Sequence, residues 1–527
     1  MGESLPPDAA KPGLLARIIA QSATRPVLTL LVVAALAVVG WRSMGAVPLD
    51  AIPDLSDTQV IVLTEWPGRG PDLVEDQLTF PISTALLAAP QVKFVRGQSF
   101  FGLSFVYVIF EDGTDMYWAR TRVLEYMEQA RARLPAGVTP TLGSDATGVG
   151  WVFQYALVDR SGGLDLQQLR SLQDWNVRLA LEAVPGVAEV ASVGGFVKEY
   201  QVLVDPVRLR GYDLSVGEVA RAVGESNEDV GGRTMEIAGH EHVLRGRGYL
   251  RDVSDLASIP LRATDSGVPV TVGDVAQVTI GPAPRRGLAE LNGEGEAVGG
   301  IVVMRYGEDA LEVIERVKDR LDDVRAGLPE GVELVVTYDR SRLIREAIGT
   351  LRHTLIEEMV VVAIIIFLFL LHARSALVAI LTLPIGVLLA FIPMSAQGLG
   401  ANIMSLGGIA VAIGAMVDAS IVGVENVHRR LEEWQQEGSP GSRRSIVISA
   451  LQEVGPSLFF SLLVITVSFL PVFSLQGIEG RLFKPLAWTK TWSMGFSALL
   501  AVTATPALAA LLLVVPAVLP IRYACHQ

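Results

Sequence analysis

The sequence predicts an α-helical membrane protein of six transmembrane helices that carries a large outer α+β region. That region reads as two ferredoxin-like βαββαβ units, the second holding an inserted subdomain. Three observations predict this class. Half of the 527 residues are hydrophobic, and the mean hydropathy of +0.42 is too high for an ordinary soluble protein. The apolar residues gather in one block near residue 30 and in several after residue 355, each near the ~20 residues needed to cross hydrocarbon. Between those blocks lies a soluble-looking stretch that repeats one strand and helix order.

The six candidate spans are 26–47, 355–371, 376–396, 403–424, 455–473 and 494–519. Arg42 interrupts the first near its end, where a long side chain snorkels to the interface. Positive charge sets the orientation. Lys11, Arg17, Arg25, Arg374, Arg429, Arg430, Arg443 and Arg444 all fall on one side of six spans. That side is the cytoplasm, so residues 1–25 form a cytoplasmic N-terminus and 48–354 lie outside. No small-residue cleavage site follows the first apolar run, so the N-terminus does not read as a cleavable signal.

In the outer region "TQVIVLTEW" reads as a strand, and 71–89 as a helix opened by Pro71. Two strands follow around "RGQSFFG", then a helix over 115–133 and a strand near 138–143. The pattern recurs in two pieces: "WVFQYALVD" with helix 165–183 and "VAEVASV", then "GGIVVMRY" with helix 308–326 and "VELVVTYD". This order is the split βαβ signature. The expected divisions are 48–144, then 145–194 with 288–345, around an insert over 195–287. A tail follows over 520–527.

The totals also exclude functions. A net charge of −13 argues against a nucleic-acid partner, which needs a basic surface. The single cysteine, Cys525, allows no disulfide framework or cysteine metal site within one chain. "GEGEAVGG" has no phosphate-binding lysine and no strand-to-helix context, so no nucleotide site is expected.

The fourth span contains Asp418 and Glu425 in "GAMVDASIVGVENVHRR". Seven residues apart, they fall on nearly one helix face, about 10 Å apart along the axis. A charge inside a bilayer is costly, so such residues face a bundle interior or a water-filled cavity. A carboxyl that loads and releases protons there suits the coupling step of a pump. Glu425 also suits the end of the span, near the headgroups beside Arg429.

One span, a large outer region and a group of five spans is a telling order, and the motifs narrow it. "VPLDAIPDLSDTQVIVLTEWPG", "FEDGTDMYWARTRVLEY", "GSDATGVGWVFQYALVDRSG", "VASVGGFVKEYQV", "RRGLAELNGEGEAVGG" and "NIMSLGGIAVAIGAMVDASIVGVENVHRRLEEW" resemble the heavy-metal efflux branch of the resistance-nodulation-division (RND) transporters. Within it they look most like the Cus-type copper/silver pumps, from about residue 14 to about 512.

The resemblance implies a proton-driven secondary transporter, not an enzyme, in the bacterial inner membrane with a large periplasmic region. It implies a homotrimer that joins a periplasmic adaptor protein and an outer-membrane channel, with no organic cofactor. The transported ion is Cu(I) or Ag(I). In these terms 48–144 and 145–194 with 288–345 are porter subdomains, and 195–287 is a docking subdomain. The family continues into a second half. The ending "LLLVVPAVLPIRYACHQ" looks unlike it, so a truncated gene, a frameshift or a split subunit is expected.

The resemblance also assigns residues. Asp418 matches the proton-relay acid and Glu425 a supporting acid, with the relay's cationic lysine expected in the second half. Soft Cu(I) and Ag(I) prefer thioether or thiolate ligands, and Met404, Met416 and Met494 match positions of the stepped methionines. Met416 and Met494 would pair; Gly423 and Ala509 stand where the innermost pair is expected. Arg96 matches a charged position lining the periplasmic cleft. Met116, Met127, Met235 and Met304 read as packing residues, and His240 and His242 of "HEH" match no family motif. Three alternatives stay open. One is a divalent zinc, cobalt or cadmium pump, disfavoured because no acid stands one turn above Asp418. The others are a six-span protein-export accessory and a non-functional fragment.

Overall fold

The computed structural model describes residues 13–263, 267–285, 287–370 and 373–514. Cys525 and the tail over 520–527 lie outside the described residues. Eight helices build the apolar part: α1 (Leu14–Thr24), α2 (Pro26–Gly45), α3 (Arg340–Leu370), α4 (Ala373–Ala396), α5 (Ile403–Gln436), α6 (Arg443–Val467), α7 (Gly477–Val502) and α8 (Ala504–Leu512). Four segments are each long and apolar enough to cross a membrane: Pro26–Gly45, Arg374–Ala396, Ile403–Gln436 and Arg443–Ser474. Helices α7 and α8, bent by 43° at Thr503, make a fifth when taken as one span. The predicted span 355–371 falls on the end of α3, and its residue 371 lies outside the described residues.

Helices α5 and α6 extend past the predicted spans, to Gln436 and from Arg443, and two further boundaries differ from the hydropathy reading, each for a physical reason. Helix α3 starts at Arg340, well before residue 355, and its first turns belong to the outer region, where Ile344 is fully buried. Helix α7 starts at Gly477, well before residue 494. Arg481, Lys484 and Lys490 dilute the hydropathy of that stretch, yet the helix runs on through it, past Pro485 in its interior. The bend follows from Pro506, which lacks an N–H and whose ring would clash with the carbonyl four residues back. That carbonyl belongs to Val502, the last residue of α7.

Packing of the bundle depends on small residues. A Cβ at Gly40 of α2 would overlap the Leu388 carbonyl of α4, so the two backbones meet there. A Cβ at Gly408 of α5 would overlap Thr489 and the Leu486 carbonyl of α7. These close approaches are typical of membrane helix pairs. Much of α2 and α6 is apolar and exposed, including Leu31, Val38, Phe460 and Val464, as a lipid-facing surface would be.

The outer region holds two four-stranded antiparallel sheets. The first comprises β1 (Gln59–Glu65), β2 (Val92–Phe100), β3 (Leu103–Phe110) and β4 (Thr141–Leu142), in the order β2-β3-β1-β4. Alternation puts Val60 and Val62 on the inner face with Val106 and Val108. The helices Phe80–Leu87 and Met116–Arg131 cover that face through Ile82, Leu86, Val123 and Met127.

The second sheet comprises β5 (Trp151–Asp159), β6 (Val187–Gly194), β13 (Val298–Met304) and β14 (Val332–Asp339), in the order β14-β5-β13-β6. Counting each sheet's strands one to four in chain order, both run four-one-three-two. Between β6 and β13 comes an insert with its own core around Leu209, Val219 and Val272. It contains β7 (Lys198–Val204) paired with β12 (Ala276–Pro282), β10 (Pro260–Ala263) paired with β11 (Pro269–Thr271), and the exposed hairpin β8 (Val230–Ile237) and β9 (His240–Gly246).

Buried and half-buried polar contacts tie the helices to the outer region. Arg340 at the start of α3 is buried and pairs with Asp50 at 2.9 Å. The backbone N–H of Leu49 donates to Asp309 Oδ2 at 2.9 Å. Burial pushes the Asp50 carboxyl above the usual carboxylate range, and the Arg340 charge opposes that shift.

Candidate functional site

Helix α5 carries most of the expected site. Asn402 caps it, accepting from the Ser405 N–H at 2.9 Å, and Met404 is half-buried in the first turn. Met416 and Met494 are 1% and 0% exposed and share one apolar cluster with Met394 of α4. Helices α5 and α7 thus place in one apolar core the two methionines that the resemblance pairs. Met416 reaches α4: its methyl carbon fills the place that a Cβ at Gly386 would take, with Leu500 beside it.

Asp418 lies on α5, one turn past Gly414; its side chain lies outside the described residues. Elsewhere the contact between α5 and α4 is polar as well as apolar. The buried hydroxyls of Ser420 and Thr382 on α4 meet at 3.1 Å. Glu425 does not share that setting. It faces outward in this chain, while Val424, Asn426 and Val427 beside it are buried. Asn426 donates to the Ala450 carbonyl of α6 at 2.9 Å, and Arg429 donates to Asn426 at 2.8 Å.

The remaining candidates stand apart. Arg96 is exposed on β2, its guanidinium 4.9 Å from the Tyr107 ring centroid. Met116 and Met127 are buried in the first outer core and Met304 in the second; Met235 is exposed on the hairpin. His240 and His242 sit on exposed β9. Among the described residues no group of three His, Cys, Asp or Glu is placed to hold a metal ion.

Two functional candidates escaped the sequence reading. Lys490 is 6% exposed, on the same α7 face as Met494, its Nζ 3.1 Å from the Phe469 ring centroid. Arg481 joins α7 to the first outer unit through Asp57 at 2.7 Å, Asp112, and the Leu55 carbonyl at 2.9 Å. Both lie in "RLFKPLAWTKTWSM", which reads as a loop before the last span. A helical period through 480–494, with Lys490 four residues before Met494, was the available signal.

Comparison with known proteins places the chain in a family. The chain is 55% identical over 496 residues to the cation efflux system protein CusA of Escherichia coli K12, covering 93% of this chain and 47% of CusA. It is 36% identical over 506 residues to the cobalt-zinc-cadmium resistance protein CzcA of Cupriavidus metallidurans, covering 94% and 47%. A crystal structure of a heavy metal efflux pump superposes with a TM-score of 0.83 at 31% identity, covering 94% of this chain and 48% of that one. The chain spans about half the length of the curated relatives it matches. The AcrB/AcrD/AcrF family is matched over residues 18–517, nearly the whole of the described fold, and the chain belongs to that RND family.

Proposed function

We propose that this chain supplies the N-terminal half of a proton-driven pump that exports Cu(I) or Ag(I) across the bacterial inner membrane. The observation that carries the reading is the burial of Met416 and Met494 in one cluster between α5 and α7, in a chain 55% identical to a cation efflux protein. Thioethers suit soft monovalent ions, whereas divalent zinc or cobalt would call for imidazole or carboxylate. Met404, half-buried at the outer end of α5, is a further step on the same path. Asp418 is the proton carrier, and Glu425, exposed here, meets its partner only when another chain segment covers that face. Arg96 lines the periplasmic cleft.

The wider assembly follows the same reading. Six spans are reached when the end of α3 and the bent α7–α8 pair each count as one. The shared strand order of the two outer sheets supports two ferredoxin-like porter units, over 48–144 and over 145–194 with 288–345. The insert over 195–287 is the docking subdomain. A homotrimer joined to a periplasmic adaptor and an outer-membrane channel completes the pump.

Isothermal titration of Ag(I) into the detergent-purified chain tests the metal reading. Wild type binds, and Met416→Leu with Met494→Leu binds at least tenfold more weakly. Equal affinity of the two proteins refutes it.

A further inference from the structure

The four helices α4 to α7 are uncharged through their middles except at two positions. Residues 375–396, 403–417, 419–424, 454–467 and 485–502 contain no Asp, Glu, Lys or Arg apart from Lys490; Asp418 is the other position. Nothing charged therefore faces Lys490 at its own level from α4, α5 or α6. The 3-10 turn Leu470–Ser474 is also uncharged, and the described residues show no ion pair to Lys490. Its partner is the ring of Phe469 at 3.1 Å, whose face favours a cation.

Its depth is the second observation. Helices α5 and α7 both start at the outer face and run inward in parallel, Gly408 lying against Leu486 and Thr489. Asp418, ten residues past Gly408, thus stands about two turns deeper along α5 than Lys490 does along α7. Above Lys490 lies a cavity of about 570 Å³ at the junction with the outer region, lined by Asp50, Asp112, Lys484 and Trp488 among others. Below it, one helical turn or about 6 Å along the axis, is Met494. Ser493 beside them is fully buried, and its hydroxyl makes no hydrogen bond among the described residues, so this face offers polar contact to a passing ion. Trp488, Lys490 and Met494 follow one another down a single helix, from the cavity into the apolar core.

We infer that Lys490 is a charge barrier between the outer junction cavity and the thioether core at Met494, limiting the passive leak of soft monovalent cations between them. The inference rests on the metal-export reading and adds a residue that restricts undriven passage along its path. A fixed positive charge in a narrow path excludes cations in other membrane proteins by the same physics. At an effective dielectric of about 20, one ammonium about 6–10 Å from a bound cation weakens its occupancy roughly ten- to hundredfold.

Ag(I) is the probe, in the full chain reconstituted into proteoliposomes, with affinity and passive Ag(I) leak both measured. Lys490→Gln is expected to bind Ag(I) ten- to hundredfold more tightly and to leak faster; Lys490→Arg keeps both wild-type values. Adding Met494→Leu to Lys490→Gln removes the gain. A purely structural lysine would lower the melting temperature of Lys490→Gln without tightening Ag(I) binding, and that result overturns the barrier. Should Met494→Leu weaken binding while Lys490→Gln leaves affinity and leak unchanged, the barrier alone falls. If Met494→Leu has no effect in either background, the metal-export reading falls and the barrier to that metal falls with it.

Discussion

Arg481, in the second turn of membrane helix α7, pairs with Asp112 of the first outer sheet's unit, and the same carboxyl accepts from the Gly477 N–H at 2.9 Å. Asp112 therefore holds α7 twice, through a side chain and through the helix's first backbone N–H. Asp57 adds a second carboxylate on the guanidinium at 2.7 Å. Helix α7 also carries Lys490 and Met494, so any shift of α7 reaches the outer region through this contact.

Replacing Arg481 by Gln is expected to lower stability by about 1 kcal/mol, since its acidic partners are partly exposed and screened by water. The larger effect is local. Proteolysis of the detergent-purified variant should cleave sooner at the junction around residues 474–477, with cleavage elsewhere unchanged.

The same contact has a defined acid limit. The Gly477 N–H and then Arg481 hold the Asp112 carboxyl below the usual aspartate range. A carboxyl whose folded value lies below its unfolded one stabilises fully above the unfolded value and loses that contribution as pH falls through the folded one. The junction is expected to stay equally protected at neutral and mildly acidic pH and to open in stronger acid. Hydrogen exchange of the first turn of α7 would show this, and Asp112→Asn should remove the acid step.

Two glycine substitutions should separate packing from function. Gly40→Ala sets a methyl against the Leu388 carbonyl, a backbone atom that cannot step aside, and should cost about 1–3 kcal/mol. Gly386→Ala overlaps the methyl end of Met416 and touches Leu500 only at ordinary contact distance. It should change the melting temperature little and yet weaken Ag(I) binding, because the thioether must turn away. Thermal unfolding and titration of both variants check the contrast.

Asp418→Asn is expected to abolish Ag(I) resistance in a silver-sensitive bacterium expressing this chain with the C-terminal half of a relative. Protein level and Ag(I) affinity should stay near wild type. Undiminished resistance would remove Asp418 from the proton path.

Much of this was legible in one dimension. Apolar runs of membrane length located α2, α4, α5 and α6, and period-two alternation located the strands of both outer sheets. Asp418 and Glu425 stood out because a charge is conspicuous in an apolar run, and Met416 through its match to the family's stepped methionines. Lys490 and Arg481 did not, because their own charge lowered the hydropathy that would have marked their helix. The two residues most informative about α7 concealed it.

By itself the sequence determined the membrane class and the order of its parts, which follow from composition and local period, while the soft-metal residues came from the resemblance of its motifs to a family. Only the tertiary structure decided which of those residues meet. Met416 and Met494 share a core because α5 and α7 pack in parallel across Gly408. Glu425 stays exposed because the described helices bury Val424, Asn426 and Val427 beside it and leave its own face uncovered. Arg481 finds Asp112, far away in sequence, because only the folded chain brings the start of α7 against the first outer unit.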